Sequence, residues 1–257
     1  MTSINTKVLQ AFARLIIGIF GVAAVGWTVF VLPRFWSQAT ISQAAARIIA
    51  GDVYTPDAMA ALEQSLWPDR SLALRPAVLG PASIILLRQT EEAIARADLQ
   101  PLNSRLTVLH DAVTHAILNA PEDSYEWLAL FWLESYLYGF DAQQLRYLQM
   151  SYAIGPQEGW VAVKRNRIVL GLYATLTNDL KEAAVNEFVG LVRSQFYADA
   201  ADIVSDSTPA VREALSARLA QLPNPDRQSF AKVLTDKGFF DMDVPGVNTA
   251  RSRPWLR

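Results

Sequence analysis

Apolar residues run almost without interruption near the N-terminus. From Leu15 to Leu32 the sequence reads LIIGIFGVAAVGWTVFVL, in which no side chain is charged and only Thr28 is polar. A helix of roughly 18 residues spans about 27 Å, close to the hydrocarbon thickness of a bilayer. The pattern predicts a single N-terminal transmembrane helix. The alternative interpretation is a core helix that is buried on all sides.

The basic residues that flank this run predict its orientation. Lys7 and Arg14 precede the run, and Arg34 and Arg47 follow it before the first acidic residue of the chain. Together with the terminal amine, this balance favours a cytoplasmic N-terminus by a small margin. In a bacterial cell the rest of the chain would then lie in the periplasm, held at the inner membrane. Because residues 37–39 read Ser-Gln-Ala, cleavage after the run stays an open alternative.

Downstream of the run, apolar positions recur at helical spacing and no segment alternates as a strand would. The stretch 67–81 predicts a connector, because its three prolines cannot all lie inside helices. The stretch 238–257, with its glycines, prolines and scattered charges, predicts no helix. The predicted hairpins pair 41–50 with 56–66, 81–97 with 102–118, 121–138 with 142–154 and 157–175 with 179–195, and further helices cover 209–221 and 225–236.

Two segments in the middle of the chain resemble each other. Pro121 and Pro156 lie 35 positions apart, and the tryptophans that follow them, Trp127 and Trp160, lie 33 positions apart. Both spacings are close to the tetratricopeptide period of about 34 residues. A proline at the start of a first helix, followed by acidic residues, suits the helix dipole. The pattern predicts stacked, right-handed, tetratricopeptide-like hairpins. An irregular helical bundle is the alternative.

The predicted fold class is therefore all-α, in four regions. An N-terminal tail and transmembrane anchor cover 1–36. A membrane-proximal hairpin with its proline-rich connector covers 37–80. Tetratricopeptide-like hairpins cover 81–195, and C-terminal capping helices with a basic tail cover 196–257.

Composition and motifs exclude several function classes. The net charge of -2 gives no basic surface for nucleic acid. The absence of cysteine excludes disulfides, thiolate metal sites and a cysteine nucleophile. His110 and His115 are five positions apart and point in different directions on a helix, so they make a poor metal pair. No phosphate-binding glycine loop or nucleophile elbow occurs in the sequence. We therefore expect no cofactor and no metal.

Acidic residues offer the candidates for catalysis. Glu126 and Glu134 belong to an aromatic-rich segment, where a carboxyl group with a raised pKa could act as an acid. Asp111 and His115 share a helix face and could form a base with its orienting carboxylate. Solvent-edge carboxylates and a surface hydrogen bond explain these patterns as well. The prediction is that the chain is not an enzyme.

Tryptophan side chains are candidate partner contacts. Trp127 and Trp132 recur at helical spacing within the aromatic segment, and Trp160 follows in the next hairpin. Buried, they would belong to the core, whereas any exposed part would suit a protein partner.

Lys164, Arg165 and Arg167 form the densest basic cluster of the chain. They are candidate ligands for an anionic sugar or lipid headgroup. Arg165 and Arg167 cannot point the same way on a helix. The alternative is thus a solvated face from which one arginine turns inward to a carboxylate.

Several features together resemble one family. The anchor, Trp127-Leu128-Ala129, the element Pro156-x-x-x-Trp160 and the ending Arg253-Pro254-Trp255 resemble small membrane-anchored helical-repeat proteins encoded with bacterial exopolysaccharide synthesis and export systems. The resemblance covers the anchor and roughly residues 100–257. It implies an accessory role beside a polymerase, ligase or export machine, without catalytic residues to carry over.

The predicted function is a non-enzymatic scaffold or assembly factor. It would bind membrane-protein partners of an envelope machine and contact the lipid bilayer through residues 15–32. One alternative is a binding module for an anionic glycan or lipid. The other is a glycan-modifying enzyme that uses Glu126 or Glu134.

Overall fold

The computed structural model describes residues 6–66, 76–98, 102–156 and 158–247. All regular elements within these ranges are helical, so the all-α prediction is confirmed for the described part of the chain. The chain divides into two compact units, Met1–Arg105 and Leu106–Arg257.

The first unit is built on one long helix. Helix α1 packs against α3 and α2 through its C-terminal part, where Ile41, Ala44, Ala45 and Ile48 are buried at helical spacing. The Gln89 amide of α3 donates to the Met59 carbonyl of α2 at 2.8 Å. The helices of this unit are α1 (Thr6–Ile49), α2 (Pro56–Leu66) and α3 (Pro76–Ala95).

The segment 14–29 of α1 is exposed around its whole circumference. Each side chain from Arg14 to Val29 is exposed, including Ile17 (71 %), Phe20 (72 %) and Val22 (75 %). Across the described residues, no helix unites the length and the apolar character that a membrane crossing requires. The flanking residues 33–36, which the sequence places at a membrane rim, lie outside the described side chains.

The predicted connector extends too far toward the C-terminus. Pro76 starts α3. At a first helical position the backbone N–H has no partner within the helix, so the missing N–H of proline costs no hydrogen bond. Pro81 lies inside the same helix. An internal proline removes one backbone hydrogen bond and strains the preceding turn. The helix continues because its following turns are buried, with Ala82 and Ile85 each 0 % exposed. Pro68 lies outside the described residues.

From residue 102 onward the chain forms eight α-helices within the described residues. Two 3-10 turns accompany them, at Ala142–Gln144 and Tyr173–Thr175. The α-helices are α4 (Leu102–Asn119), α5 (Ser124–Tyr138), α6 (Leu145–Ile154), α7 (Gly159–Gly171), α8 (Asn178–Arg193), α9 (Tyr197–Asp206), α10 (Pro209–Leu219) and α11 (Asn224–Asp236).

Hairpins of the second unit stack on one another. Helix α5 packs on α6 and α7, α7 packs on α8 and α9, and α8 packs on α10. Helix α11 closes the series against α9 and α8. Phe188 and Phe230, both 0 % exposed, meet edge to face at 5.9 Å between ring centroids and join α8 to α11. Each hairpin thus covers the apolar face of its neighbour.

Helix α9 is absent from the sequence prediction. Its buried residues are Ala200, Ala201, Ile203 and Val204, which lie on one helical face. The three alanines at 198, 200 and 201 carry little apolar surface, so the segment between the fourth hairpin and Pro209 shows a weak periodicity. Packing against α7 and α11 supplies what the local pattern lacks.

Candidate functional site

A groove of about 570 Å³ lies beside α6, α7 and α8 in the second unit. Ala162, Ala183 and Gly190 contribute small side chains to its lining, and Tyr152 and Phe196 contribute rings. A Cβ atom built on Gly190 would meet no atom within 4 Å. The groove therefore has room for side chains from outside this surface.

The guanidinium of Arg165 lies fully buried under this groove. Its Nη1 donates to the Ser151 carbonyl oxygen at 2.8 Å and to the Ser151 Oγ at 2.9 Å, and its Nη2 donates to the Gly155 carbonyl oxygen at 2.8 Å. These carbonyls stand at the C-terminal end of α6, where the Ser151 carbonyl oxygen also accepts from the Gly155 N–H at 3.2 Å. A cation at this end is also favoured by the helix dipole. Arg165 therefore caps α6 from α7.

Glu187 on α8 balances this charge. Arg165 Nε donates to Glu187 Oε1 at 2.9 Å, and a second bond comes from Nη2. The other oxygen of Glu187 accepts from Asn166 Nδ2 at 2.9 Å and from the Tyr152 hydroxyl at 3.2 Å. We call Arg165, Glu187, Tyr152, Asn166 and Ser151 the buried polar cluster. Burying an ion pair is tolerated because both partners are hydrogen-bonded on several sides.

Burial sets the titration of the cluster. Desolvation raises the pKa of the Glu187 carboxyl above its usual value, while the hydrogen bond and the charge of Arg165 oppose that rise. Desolvation also raises the pKa of the Tyr152 hydroxyl well above its usual value, and the negative charge of Glu187 adds to this effect. The Arg165 guanidinium stacks 4.2 Å above the Tyr152 ring centroid. The tyrosine thus stays neutral and donates to the carboxylate.

Gly155 allows the adjoining hairpins to approach closely. A Cβ atom at this position would lie 2.3 Å from Ser124 Oγ, at the start of α5. The Ser151 hydroxyl donates to the Ser124 carbonyl oxygen at 2.8 Å, and the Ser124 hydroxyl donates to Glu158 at 2.7 Å. These contacts connect α5, α6 and α7 at one point. Glycine is required at this position because the helices pack closely there, and its backbone angles are open to other residues.

All three predicted tryptophans are half-buried, and two of them pack between elements. The Trp127 indole N–H donates to the Pro121 carbonyl oxygen at 2.8 Å, and its ring stacks on Tyr147 with centroids 6.3 Å apart. Trp160 lies against the buried ring of Tyr125, with centroids 4.8 Å apart. Both therefore contribute to packing between elements of the second unit and leave part of their surface at the exterior.

Trp132 belongs to a more exposed aromatic edge at the end of α5. It stacks on Tyr136 with ring centroids 5.5 Å apart and an interplanar angle of 14°. Tyr136 is 43 % exposed and Tyr138 is 75 % exposed. Tyrosine and tryptophan combine apolar area with a polar group, which is typical of partner contacts.

The three predicted basic residues do not share a surface. Arg165 lies inside the buried polar cluster, so its guanidinium is not available to an anion from outside. The structure thus shows the alternative in which one arginine turns inward to a carboxylate. Arg167 is exposed and lies 3.7 Å from Asp202 on α9, which also pairs with Lys237. Lys164 is half-buried on the same helix.

Carboxylates of the aromatic segment lie in different settings. Glu126 is 1 % exposed, whereas Glu134 is part-exposed and its Oε1 lies 3.2 Å from His110 Nε2. This contact joins α4 to α5. Asp111 is half-buried and His115 is exposed on α4. Among the described residues, no group of three or more acidic or histidine side chains could hold a metal ion.

Sequence reasoning missed the cluster because its members come from separate helices. Glu187 is 22 positions from Arg165, and Ser151 is 14 positions from it. The sequence signal was the inward turn expected of one arginine.

No protein-family model, no curated protein and no solved structure matches the chain.

Proposed function

We propose that the chain is a membrane-anchored helical-repeat scaffold, which acts as an assembly factor for a bacterial envelope complex. The exposure of apolar side chains on α1 carries this proposal. Phe20, Val22 and Trp27 are each at least 70 % exposed, and the apolar side chains beside them are exposed as well. A contiguous apolar surface of this kind is typical of a protein or membrane contact.

The proposed anchor is the whole run from Leu15 to Leu32. The described exposed side chains reach Val29, and the sequence adds Phe30, Val31 and Leu32 before Pro33. About 18 apolar residues are enough for a helix to reach across the hydrocarbon layer. The basic residues before the run favour a cytoplasmic N-terminus and a periplasmic body.

The proposed scaffold surface is the groove beside α6, α7 and α8. Its small lining residues and flanking rings suit a segment of a protein partner, and Arg165 is turned away inside the buried polar cluster. The stacking of α5 to α11 supports the tetratricopeptide-like arrangement. An anchor would hold this groove in the membrane plane and so raise its effective concentration beside membrane-bound partners. The resemblance described above suggests polysaccharide synthesis or export as the partner machine.

Crosslinking of the full-length chain in native membranes tests the scaffold. Gly190→Phe would place a ring in the open space over α8, and Gly171→Phe would place the same ring where a Cβ also meets no atom, outside the groove. We expect the same membrane partner to be crosslinked in the wild type and in Gly171→Phe, and to co-purify with both through a high-salt wash when no crosslinker is added. We expect the loss of this partner in Gly190→Phe.

Equal partner recovery from both variants would contradict the proposed groove. Binding that disappears at high salt in the wild type would instead favour the anionic glycan or lipid alternative. Helical content by circular dichroism shows whether both variants keep the fold.

A further inference from the structure

We propose that α10 and α11 form a binding site for an extended peptide, and that the chain's own C-terminal strap occupies it. The strap is the segment 238–247, which follows α11. This inference concerns the second unit alone and does not depend on membrane anchoring.

The strap begins where α11 ends. Gly238 has a φ of +74°, its N–H donates to the Thr235 carbonyl oxygen at 2.9 Å, and the Phe239 N–H donates to the Leu234 carbonyl oxygen at 2.9 Å. This pair of bonds is a Schellman motif, which ends a helix and redirects the chain. Glycine suits the left-handed conformation that the motif requires.

Side chains of the strap alternate between the protein and the solvent. Met242 and Val244 are 6 % and 3 % exposed, whereas Asp241 and Asp243 are exposed. Such a period of two is typical of an extended segment with one buried face. The strap therefore buries its apolar side chains against the protein and exposes its acidic side chains to solvent.

Helix side chains bind the strap through its main chain. The Ser216 hydroxyl of α10 donates to the Asp243 carbonyl oxygen at 2.7 Å, and Arg227 of α11 donates to the Pro245 carbonyl oxygen. Main-chain bonds with pockets for alternate side chains are how proteins bind extended peptides. The same segment of a second copy of this chain could make these contacts.

Arg212 adds selectivity for acidic segments. Its guanidinium lies 4.8 Å from the Phe239 ring centroid and 3.9 Å from the Asp241 carboxylate. Bonds from Arg212 to the carbonyl oxygens of Val204 and Ser205 fix it at the end of α9. The site therefore suits a segment with an acidic residue at the position of Asp241.

A cavity of about 390 Å³ remains between α10 and the strap. Pro209, Glu213 and Ala217 of α10 and Met242 of the strap contribute to its lining. The strap thus leaves part of the surface unfilled. Because Asp241, Met242 and Asp243 border this open space, the middle of the strap is incompletely packed. The same segment of a second copy of this chain can therefore displace it.

Fluorescence anisotropy with a labelled peptide of residues 238–247 tests this site on full-length protein in detergent. Met242→Asp together with Val244→Asp should release the strap and open the site. We expect this variant to bind the peptide at least about tenfold more tightly than the wild type, whose site is occupied. Asp243→Asn changes an outward side chain and should behave as the wild type.

A peptide that carries aspartate in place of Met242 and Val244 should not bind the opened site. The proposal is wrong if the peptide binds neither protein, binds both equally, or binds regardless of those two residues. If the double variant loses helical circular dichroism, Met242→Ala decides instead. It weakens the strap and leaves the α10 and α11 side of the site unchanged, so it should raise hydrogen exchange of the strap amides and peptide binding together. No rise in either would overturn the proposal.

Discussion

Two regions depart from the usual rule that apolar side chains are buried and charged ones exposed. The segment 14–29 of α1 exposes apolar side chains, and the buried polar cluster encloses charged ones. On α1, Ile17 and Phe20 are more than 70 % exposed, whereas in the second unit Arg165 is 0 % exposed. The buried charge has its explanation nearby, since Glu187, Ser151 and Gly155 bind the whole guanidinium edge. The exposed apolar residues have no such explanation among the described contacts. A buried charge whose hydrogen bonds are made by the protein itself stabilises the fold. An apolar surface that no described residue covers indicates a contact with lipid or with a protein partner.

Charging the exposed segment should give the largest effect. Val22→Arg with Val25→Arg places two charges near the middle of the run, at a cost of about 2.5–3.5 kcal/mol each in a bilayer centre. We expect the wild type in the membrane pellet after lysis without detergent, and the double variant largely in the supernatant. Quantitative immunoblotting of both fractions measures the shift. Gln43→Arg adds a charge at an exposed position further along α1 and should not move the protein.

Intact wild-type protein in the supernatant would end the anchor proposal and leave the apolar surface to a protein partner. A reporter fused after Arg257 checks the orientation. It should be active outside the cytoplasm.

Breaking the buried polar cluster should give the next largest effect. Glu187→Ala leaves the Arg165 charge buried without its carboxylate, which costs about 3–5 kcal/mol of unfolding free energy. Urea unfolding followed by circular dichroism measures the loss. Glu182→Ala removes a more exposed partner of Arg218 and should cost less than about 1 kcal/mol. Equal losses would show that the cluster is no more than a surface ion pair in energetic terms.

Alkaline pH should sharpen the comparison with a smaller effect. The raised pKa of Tyr152 means that the folded protein keeps this proton while the unfolded chain loses it above the usual value of 10.0. Unfolding free energy should therefore fall as pH rises above that value, by up to about 1.4 kcal/mol per pH unit for one group. Tyr152→Phe should remove this part of the slope, measured by urea unfolding across the alkaline range.

Tyr138→Phe, at a tyrosine that is 75 % exposed, provides the matched control. It should keep the wild-type slope. A slope that Tyr152→Phe leaves unchanged would place this hydroxyl in contact with water rather than inside the cluster.

Several helix starts were predictable. The helices expected at Pro56, Leu102 and Pro209 begin at those residues in the structure. The helices expected at Pro121 and at residue 157 begin later, at Ser124 and Gly159, so the two prolines of the repeat precede their helices rather than start them. Proline at a first helical position and apolar periodicity are local properties, so a single sequence shows them. The position of Pro81 inside α3 and the existence of α9 were not predicted. In both places the local sequence signal is weak or opposes a helix, and tertiary packing outweighs it.

The candidate sites were less predictable. The sequence marked Arg165 as one of three basic residues, and it left open an inward turn, but it could not indicate Glu187 as the partner. The strap shows the same limit, since the alternation of Asp241 to Val244 is visible in the sequence, yet its contact with Ser216 is not. Pairings across many residues depend on how the helices stack.

The sequence by itself determined that the chain is helical and that one uncharged apolar run precedes the body. Both follow from the spacing and chemistry of neighbouring residues, which act over a few turns of backbone. Only the tertiary structure decided which charges are buried, where a groove opens and what the strap covers. These depend on side chains from separate helices, and a charge such as that of Arg165 is stable in the interior because the helices packed around it supply its hydrogen-bond partners.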